Sequence, residues 1–376
     1  MPYADGVRSS TRALSAASVA AALLGAACAS KPRPVPSAPA PGAARGGLPV
    51  ELDASPVVSR REWRWNSVEG LEVDTAHWRV RTSIRNSSLL ATLPGFYEAA
   101  LRNYRIGLVP LPAPPRRLES CILGNREEWA RFTEYRLGPD AAPYLRMGRG
   151  GFTSGGEAVL YDIGYRDTLT IAAHEGWHQY SQTTLRNALP VWLEEGIACF
   201  MEGFRLMPGA KEPVFLPWRN TERYTELRNT IRRRTPYPLR EVLEGSPQSF
   251  LERGRDAQLA YYAHVWALVH FLRDGCEGRY RPGLERLLDD AVKGKVLERI
   301  AASPAIPDAR GRRLAGEAKA GVWLVLVYFD QDFQGFAESY ERFIRAIVDS
   351  NAWDRLSRGE SPLGPAAGTD VEHPAQ

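Results

Sequence analysis

Two histidines four residues apart bracket a glutamate in the run His174-Glu175-Gly176-Trp177-His178. On an α-helix, residues at this spacing lie on one face, so both imidazoles can turn toward one ion. Two nitrogen donors of this kind suit Zn²⁺. Glu175, one step round the helix from His174, stands beside such an ion and is placed to take a proton from a water there. The flanking residues support a helix. Asp167 or Thr168 is a natural N-cap, and Leu169, Ile171, Ala172, Ala173, Trp177 and Tyr180 supply an apolar packing surface.

A second segment, Leu189-Pro190-Val191-Trp192-Leu193-Glu194-Glu195-Gly196-Ile197-Ala198, follows closely. Pro190 suits the first turn of a new helix and limits how far the preceding one can run. One carboxylate of this helix would complete a tetrahedral set of two His, one Glu and one water. Glu194 and Glu195 point about 100° apart on a helix, so only one of them can face the metal.

The pair HEGWH and LPVWLEEGIA resembles the gluzincin metallopeptidases, in the aminopeptidase-N-like pattern where the third ligand is the Glu before a Gly. It also looks similar to a poorly characterised bacterial zincin-like family with the signature P-x-W-L-x-E-G-x-A. The resemblance implies one Zn²⁺ held by His174, His178 and Glu195, with Glu175 as general base in the hydrolysis of a peptide bond. Glu194 then faces solvent or stands behind the ligands. The resemblance further implies a tyrosine donor to the oxyanion, downstream of the glutamate ligand. Tyr262 is the first candidate in Ala260-Tyr261-Tyr262-Ala263-His264, with Tyr261 and His264 behind it. The aminopeptidase G-x-M-E-N motif is absent, which favours an endopeptidase. Glu157 is the one residue that would recognise a free amino terminus, and Gly155 to Val159 is the stretch expected to form a substrate-binding edge strand. Two rival expectations keep the same residues: a zincin-like scaffold without catalysis, and an amidase acting on cell-wall peptides.

These residues need elements to hold them. Trp78 to Ile84 and Arg117 to Leu123 read as strands, as does Phe152 to Tyr161, with its glycine pair marking a bulge. Leu89 to Tyr104 carries apolar residues at helical spacing after Pro94, and Glu127 to Tyr135 reads as a short amphipathic helix. From Asp167 onward the chain reads as mostly helical. Strands first and helices afterwards predict an α+β fold: a mixed N-terminal sheet, then a mainly helical half, in a zincin (thermolysin-like) domain over 51–356.

The ends read differently. Residues 1–28 look like an export signal ending in Leu24-Gly25-Ala26-Ala27-Cys28, which is similar to a bacterial lipobox. The expectation is a lipoprotein anchored to the cell-envelope membrane through a lipidated Cys28. Residues 29–50 are a Pro/Ala-rich tether and 357–376 a disordered tail. The 376 residues carry 48 basic and 44 acidic side chains, a formal net charge of +4, and no aromatic-plus-basic pattern. That near balance argues against a nucleic-acid partner. Cys121, Cys199 and Cys276 allow at most one disulfide, and none has metal-ligand spacing.

Overall fold

The computed structural model describes residues 56–146, 150–207, 212–306, 321–348 and 352–364. The export signal, Cys28 and the tether lie outside the described residues, as does 365–376. Ser357 and Arg358 close a helix, Ala352–Arg358.

The N-terminal half is a six-stranded mixed sheet. Its strands are β1 (Ser59–Trp65), β2 (Val68–Asp74), β3 (Trp78–Thr82), β4 (Leu118–Leu123), β5 (Gly151–Ser154) and β6 (Glu157–Tyr161), in the spatial order β1-β2-β3-β4-β6-β5. β3, β4 and β6 run parallel, and β1, β2 and β5 are antiparallel to their neighbours. Helices α1 (Ser87–Ile106), α2 (Arg126–Leu137) and the short α3 (Ala142–Leu145) lie between the strands in sequence. Side chains alternate across the sheet as the strand period requires. Val80, Leu118, Ile122, Ala158 and Leu160 join the core beneath α1, while Cys121, Leu123, Val159 and Tyr161 join Trp129 and Phe132 of α2 on the other face.

The C-terminal half is helical. It comprises α4 (Tyr165–Thr184), α5 (Val191–Met201), α6 (Thr221–Arg232), α7 (Leu239–Glu244), α8 (Pro247–Leu251), α9 (Arg255–Asp274), α10 (Arg281–Lys293) and α11 (Val296–Ala302). Helices Gly321–Tyr328, Phe333–Ile347 and Ala352–Arg358 follow, and the two-residue strands β7 (Phe204–Arg205) and β8 (Val214–Phe215) form a small hairpin. α9 is buried without a break from Ala260 to Leu272, so it is the central post of this half. α4 packs on the sheet against β5 and β6 and also against α5, which packs in turn on α9. The chain is therefore α+β, a mixed sheet followed by a helical half, as expected. Among the described residues no helix is long and apolar enough to cross a membrane.

Four local expectations need correction. Helix α1 begins at Ser87, before Pro94 and not after it. The Asn86 side chain caps it by accepting from Leu89 N at 3.1 Å, and the helix carries Pro94 inside. Helix α4 starts at Tyr165, with Gly164 at the cap. Thr168 lies within its first turn, where its hydroxyl accepts from Ile163 N at 3.0 Å and donates to Asp162, so it braces the entry loop instead of capping. Phe152 to Tyr161 is a hairpin, not one bulged strand: Gly155 (φ 62°) and Gly156 (φ 81°) are its two turn residues. Both left-handed positions of such a turn favour glycine. Finally, the edge strand is β5 and not the stretch 155–159, because β6 is sandwiched between β4 and β5.

Candidate metal centre

Helix α4 presents His174, Glu175 and His178, and α5 presents Glu195. All four are buried, with exposures of 3%, 0%, 0% and 2%. Glu195 Oε2 lies 3.5 Å from His174 Nε2 and 3.9 Å from His178 Nε2. Three ligands in a tetrahedron at zinc bond lengths stand about 3.4 Å apart, so these separations need only a slight contraction. The decisive feature is chemical. His174 Nε2, His178 Nε2 and Glu195 Oε2 are all buried without a hydrogen-bond partner, and so is Oε1 of Glu175. Leaving a buried polar atom unsatisfied costs roughly 1–3 kcal/mol, so the three orphans of His174, His178 and Glu195, within 4.8 Å of one another, mark a place suited to something they bind. The donor set of two imidazoles and one carboxylate fits Zn²⁺.

Each histidine is held through its other nitrogen. His178 Nδ1 is 2.8 Å from Glu194 Oε1, a carboxylate that also accepts from the Ser181 hydroxyl. His174 Nδ1 is 2.8 Å from Glu202 Oε1. Glu202 accepts from Arg223 at both oxygens, 2.8 and 3.2 Å, and from Asn220 Nδ2 at 2.6 Å. Both carboxylates fix their imidazole with Nδ1 as donor and Nε2 free to ligate. Glu194 thus stands behind a ligand and is 4% exposed, so the solvent-facing alternative falls away.

A second group, His174, Cys199 and Glu202, also brings donor atoms close together. It shares His174 but uses Nδ1, which Glu202 already engages, and Glu202 is saturated by Arg223 and Asn220. The set His174, His178 and Glu195 has open ligand atoms, so of the two groups it is the one better able to hold an ion.

Burial and charge tune the site. Burial raises the Glu175 carboxyl to about 8, against a lowering pull from His174 and Thr153. Burial lowers His178 to about 3 and raises Glu194 to about 7. At Glu202 burial pushes upward, but Arg223 and His174 outweigh it and hold the group at about 2. At His174 burial pushes downward, and the neighbouring Cys199, Glu195 and Glu202 side chains reverse it to a strongly raised value. The surroundings that favour positive charge on His174 equally favour a cation at its Nε2.

Of the oxyanion candidates, Tyr262 stands beside His174. Its ring centroid is 6.3 Å from that of His174, with the Arg223 guanidinium 4.9 Å from its ring centre. Tyr261 turns away, stacking on Phe250 and donating to the Gly245 carbonyl at 3.4 Å. Both ring nitrogens of His264 are engaged, by Tyr237 N at 3.3 Å and the Tyr340 hydroxyl at 3.0 Å. Glu157 projects to the α2 face of the sheet, where Arg136 pairs with it and Arg81 lies 3.8 Å away. A role in holding an amino terminus at the His174–His178 pair is therefore not open to it. Trp177 and Trp192 are 0% and 1% exposed and act as packing. Cys121, Cys199 and Cys276 are all free.

Glu202, Arg223, Asn220, Ser181 and Thr153 were not anticipated. Glu202 did carry a signal: two helical turns beyond Glu195, it belongs to the same face. The others come from segments whose approach no local spacing encodes.

Residues 168–278 match the family described as "Protein of unknown function (DUF1570)". The matched segment contains both motifs, Glu202, Arg223 and Tyr262. No curated protein and no solved structure matches the chain.

Proposed function

We propose that this protein is a zinc-dependent peptide hydrolase of the gluzincin type, with a thermolysin-like catalytic domain. The observation that carries the reading is the meeting of three unpartnered buried atoms, on His174, His178 and Glu195, on helices that carry the HEGWH and LPVWLEEGIA motifs, with a fourth unpartnered oxygen on the neighbouring Glu175. His174, His178 and Glu195 would hold the ion. When bound, Zn²⁺ would supply Lewis acidity and lower the pKa of water.

The rest falls to side chains of this chain. Glu175 accepts a proton from the attacking water at its open Oε1, forming an O–H bond there as the water O–H breaks. It later passes that proton to the departing amine nitrogen. Tyr262 is the donor assigned to the developing oxyanion. An endopeptidase is favoured, because Glu157 is committed to arginines on the far face of the sheet. We further assign the protein to the cell envelope, anchored through Cys28. Cys28→Ala should move it from the membrane to the soluble fraction, and unchanged fractionation would remove the anchor.

The test is a peptide-library cleavage assay with and without chelator, on wild type and Glu175→Gln. Chelator-sensitive cleavage by wild type, and none by a zinc-loaded Glu175→Gln, is expected. Full activity of that variant would remove Glu175 as base. A zinc-free wild type without cleavage would leave a scaffold in place of an enzyme.

A further inference from the structure

Edge strand β5 reaches the proposed base directly. The Thr153 hydroxyl donates to Glu175 Oε2 at 2.7 Å, both residues being fully buried. The Glu175 main-chain carbonyl, 3.1 Å from the same hydroxyl, is its longer alternative. Gly151 lets the strand come this near: a Cβ there would sit 2.8 Å from Leu160 Cβ and 3.4 Å from Glu175 Cγ. The two carboxylate oxygens are thereby made unequal, since Oε2 is occupied while Oε1 is buried and open.

We propose that Thr153 is a positioning residue for Glu175, pinning Oε2 so that Oε1 alone is presented to the water. The inference rests on the reading of Glu175 as the base. A carboxylate turns about its last torsion over a broad, nearly two-fold profile, so a hydroxyl that fixes one oxygen removes an orientational freedom the reaction would otherwise have to freeze. Nothing in the HEGWH motif specifies this partner. It arrives from the sheet, on the only strand that contacts α4 and also forms the sheet's edge among the described residues.

The experiment compares wild type, Thr153→Val, Thr153→Ser and Glu175→Gln in one peptide-cleavage assay, with zinc content and Tm measured for each. Thr153→Val keeps the side-chain shape and removes the hydroxyl. It should lower kcat by roughly 10- to 100-fold, a fraction of what a general base contributes, with KM within about twofold and zinc content unchanged. Thr153→Ser should recover most of kcat. Wild-type kcat in Thr153→Val overturns the proposal. So does a kcat in Thr153→Ser as low as in Thr153→Val, because a shared loss would report packing and not the hydroxyl. If Thr153→Val does not fold, Thr153→Ser still decides: a kcat near wild type with wild-type zinc supports the proposal, and a 10-fold loss overturns it. Failure of the underlying reading looks different, since Glu175→Gln would then cleave as wild type does.

Discussion

Glu202 and Arg223 form a bidentate pair, 2.8 and 3.2 Å, directly behind His174. Both are buried, Glu202 at the end of α5 and Arg223 in the first turn of α6. Asn220 ties them together, since its Oδ1 caps α6 through Arg223 N while its Nδ2 donates to Glu202. The orientation of His174, a proposed metal ligand, thus depends on how α6 docks. Glu202→Gln should weaken zinc binding roughly 10- to 100-fold, read by competition with a chelator. Both Glu202→Gln and Arg223→Gln should cost stability, about 3 kcal/mol or more, because each strands the buried charge of the other. Unchanged zinc affinity in Glu202→Gln would show that His174 needs no such support.

The glycines inside the two motifs are there for packing. A Cβ on Gly176 would meet the Tyr104 hydroxyl at 2.4 Å, and that hydroxyl donates to the Ala173 carbonyl at 2.7 Å. A Cβ on Gly196 would meet the Val265 carbonyl at 2.6 Å and Val269 Cγ2 at 2.8 Å. These contacts let α1 and α9 press closely on the ligand helices. Gly196→Ala collides with backbone that cannot swing aside, so it should destabilise by about 1–3 kcal/mol or more, seen as a lower urea midpoint. Gly176→Ala meets only side-chain ends, those of Tyr104 and Trp78, and should cost less. The reverse order would contradict this account.

Tyr262 and Tyr261 are adjacent in sequence but serve different surroundings. Tyr262→Phe should lower kcat by roughly 100-fold, the scale of one lost oxyanion donor, with zinc content unchanged. Tyr261→Phe should stay within about twofold. Equal effects would remove Tyr262 from the chemistry.

How much of this was readable beforehand follows from the range of each signal. That His174 and His178 share a helical face was legible because helical spacing is local, and Glu195 was preferred to Glu194 only through resemblance. The α+β order was legible from the change in periodicity at Asp167. Strands β1 and β2 were not, because charged residues interrupt the apolar face: Arg61 of β1 and Glu72 and Asp74 of β2 stand on the same face as Trp63, Trp65 and Val68. The hairpin at Gly155-Gly156 was read as a bulge because a glycine pair serves either purpose. Thr153 and Arg223 reach the site through tertiary approach alone, which no spacing records.

Acid should loosen the helical half through its buried histidines. His264 sits with Nε2 accepting from the Tyr237 amide and Nδ1 donating to the Tyr340 hydroxyl, which in turn donates to the His264 carbonyl at 3.0 Å. That arrangement requires the neutral ring, since a proton on Nε2 would face an N–H donor. His270 lies under Trp218, ring centroids 3.6 Å apart, with Asp274 3.8 Å from its Nδ1. Burial lowers His264 to about 3 and His270 to about 4, from an ordinary 6.5. The sign follows: below 6.5 the unfolded chain binds protons that the folded one refuses. The contribution is therefore whole above about pH 6.5 and is lost as pH falls toward 4 and 3. Between pH 7 and pH 5 each ring should cost about 2 kcal/mol. Urea unfolding of chelator-treated protein at the two pH values measures the loss. In His264→Gln the drop should be smaller than in wild type by about that amount, because the other titrating groups are common to both. An equal drop in wild type and variant would mean that His264 carries a proton in the folded protein.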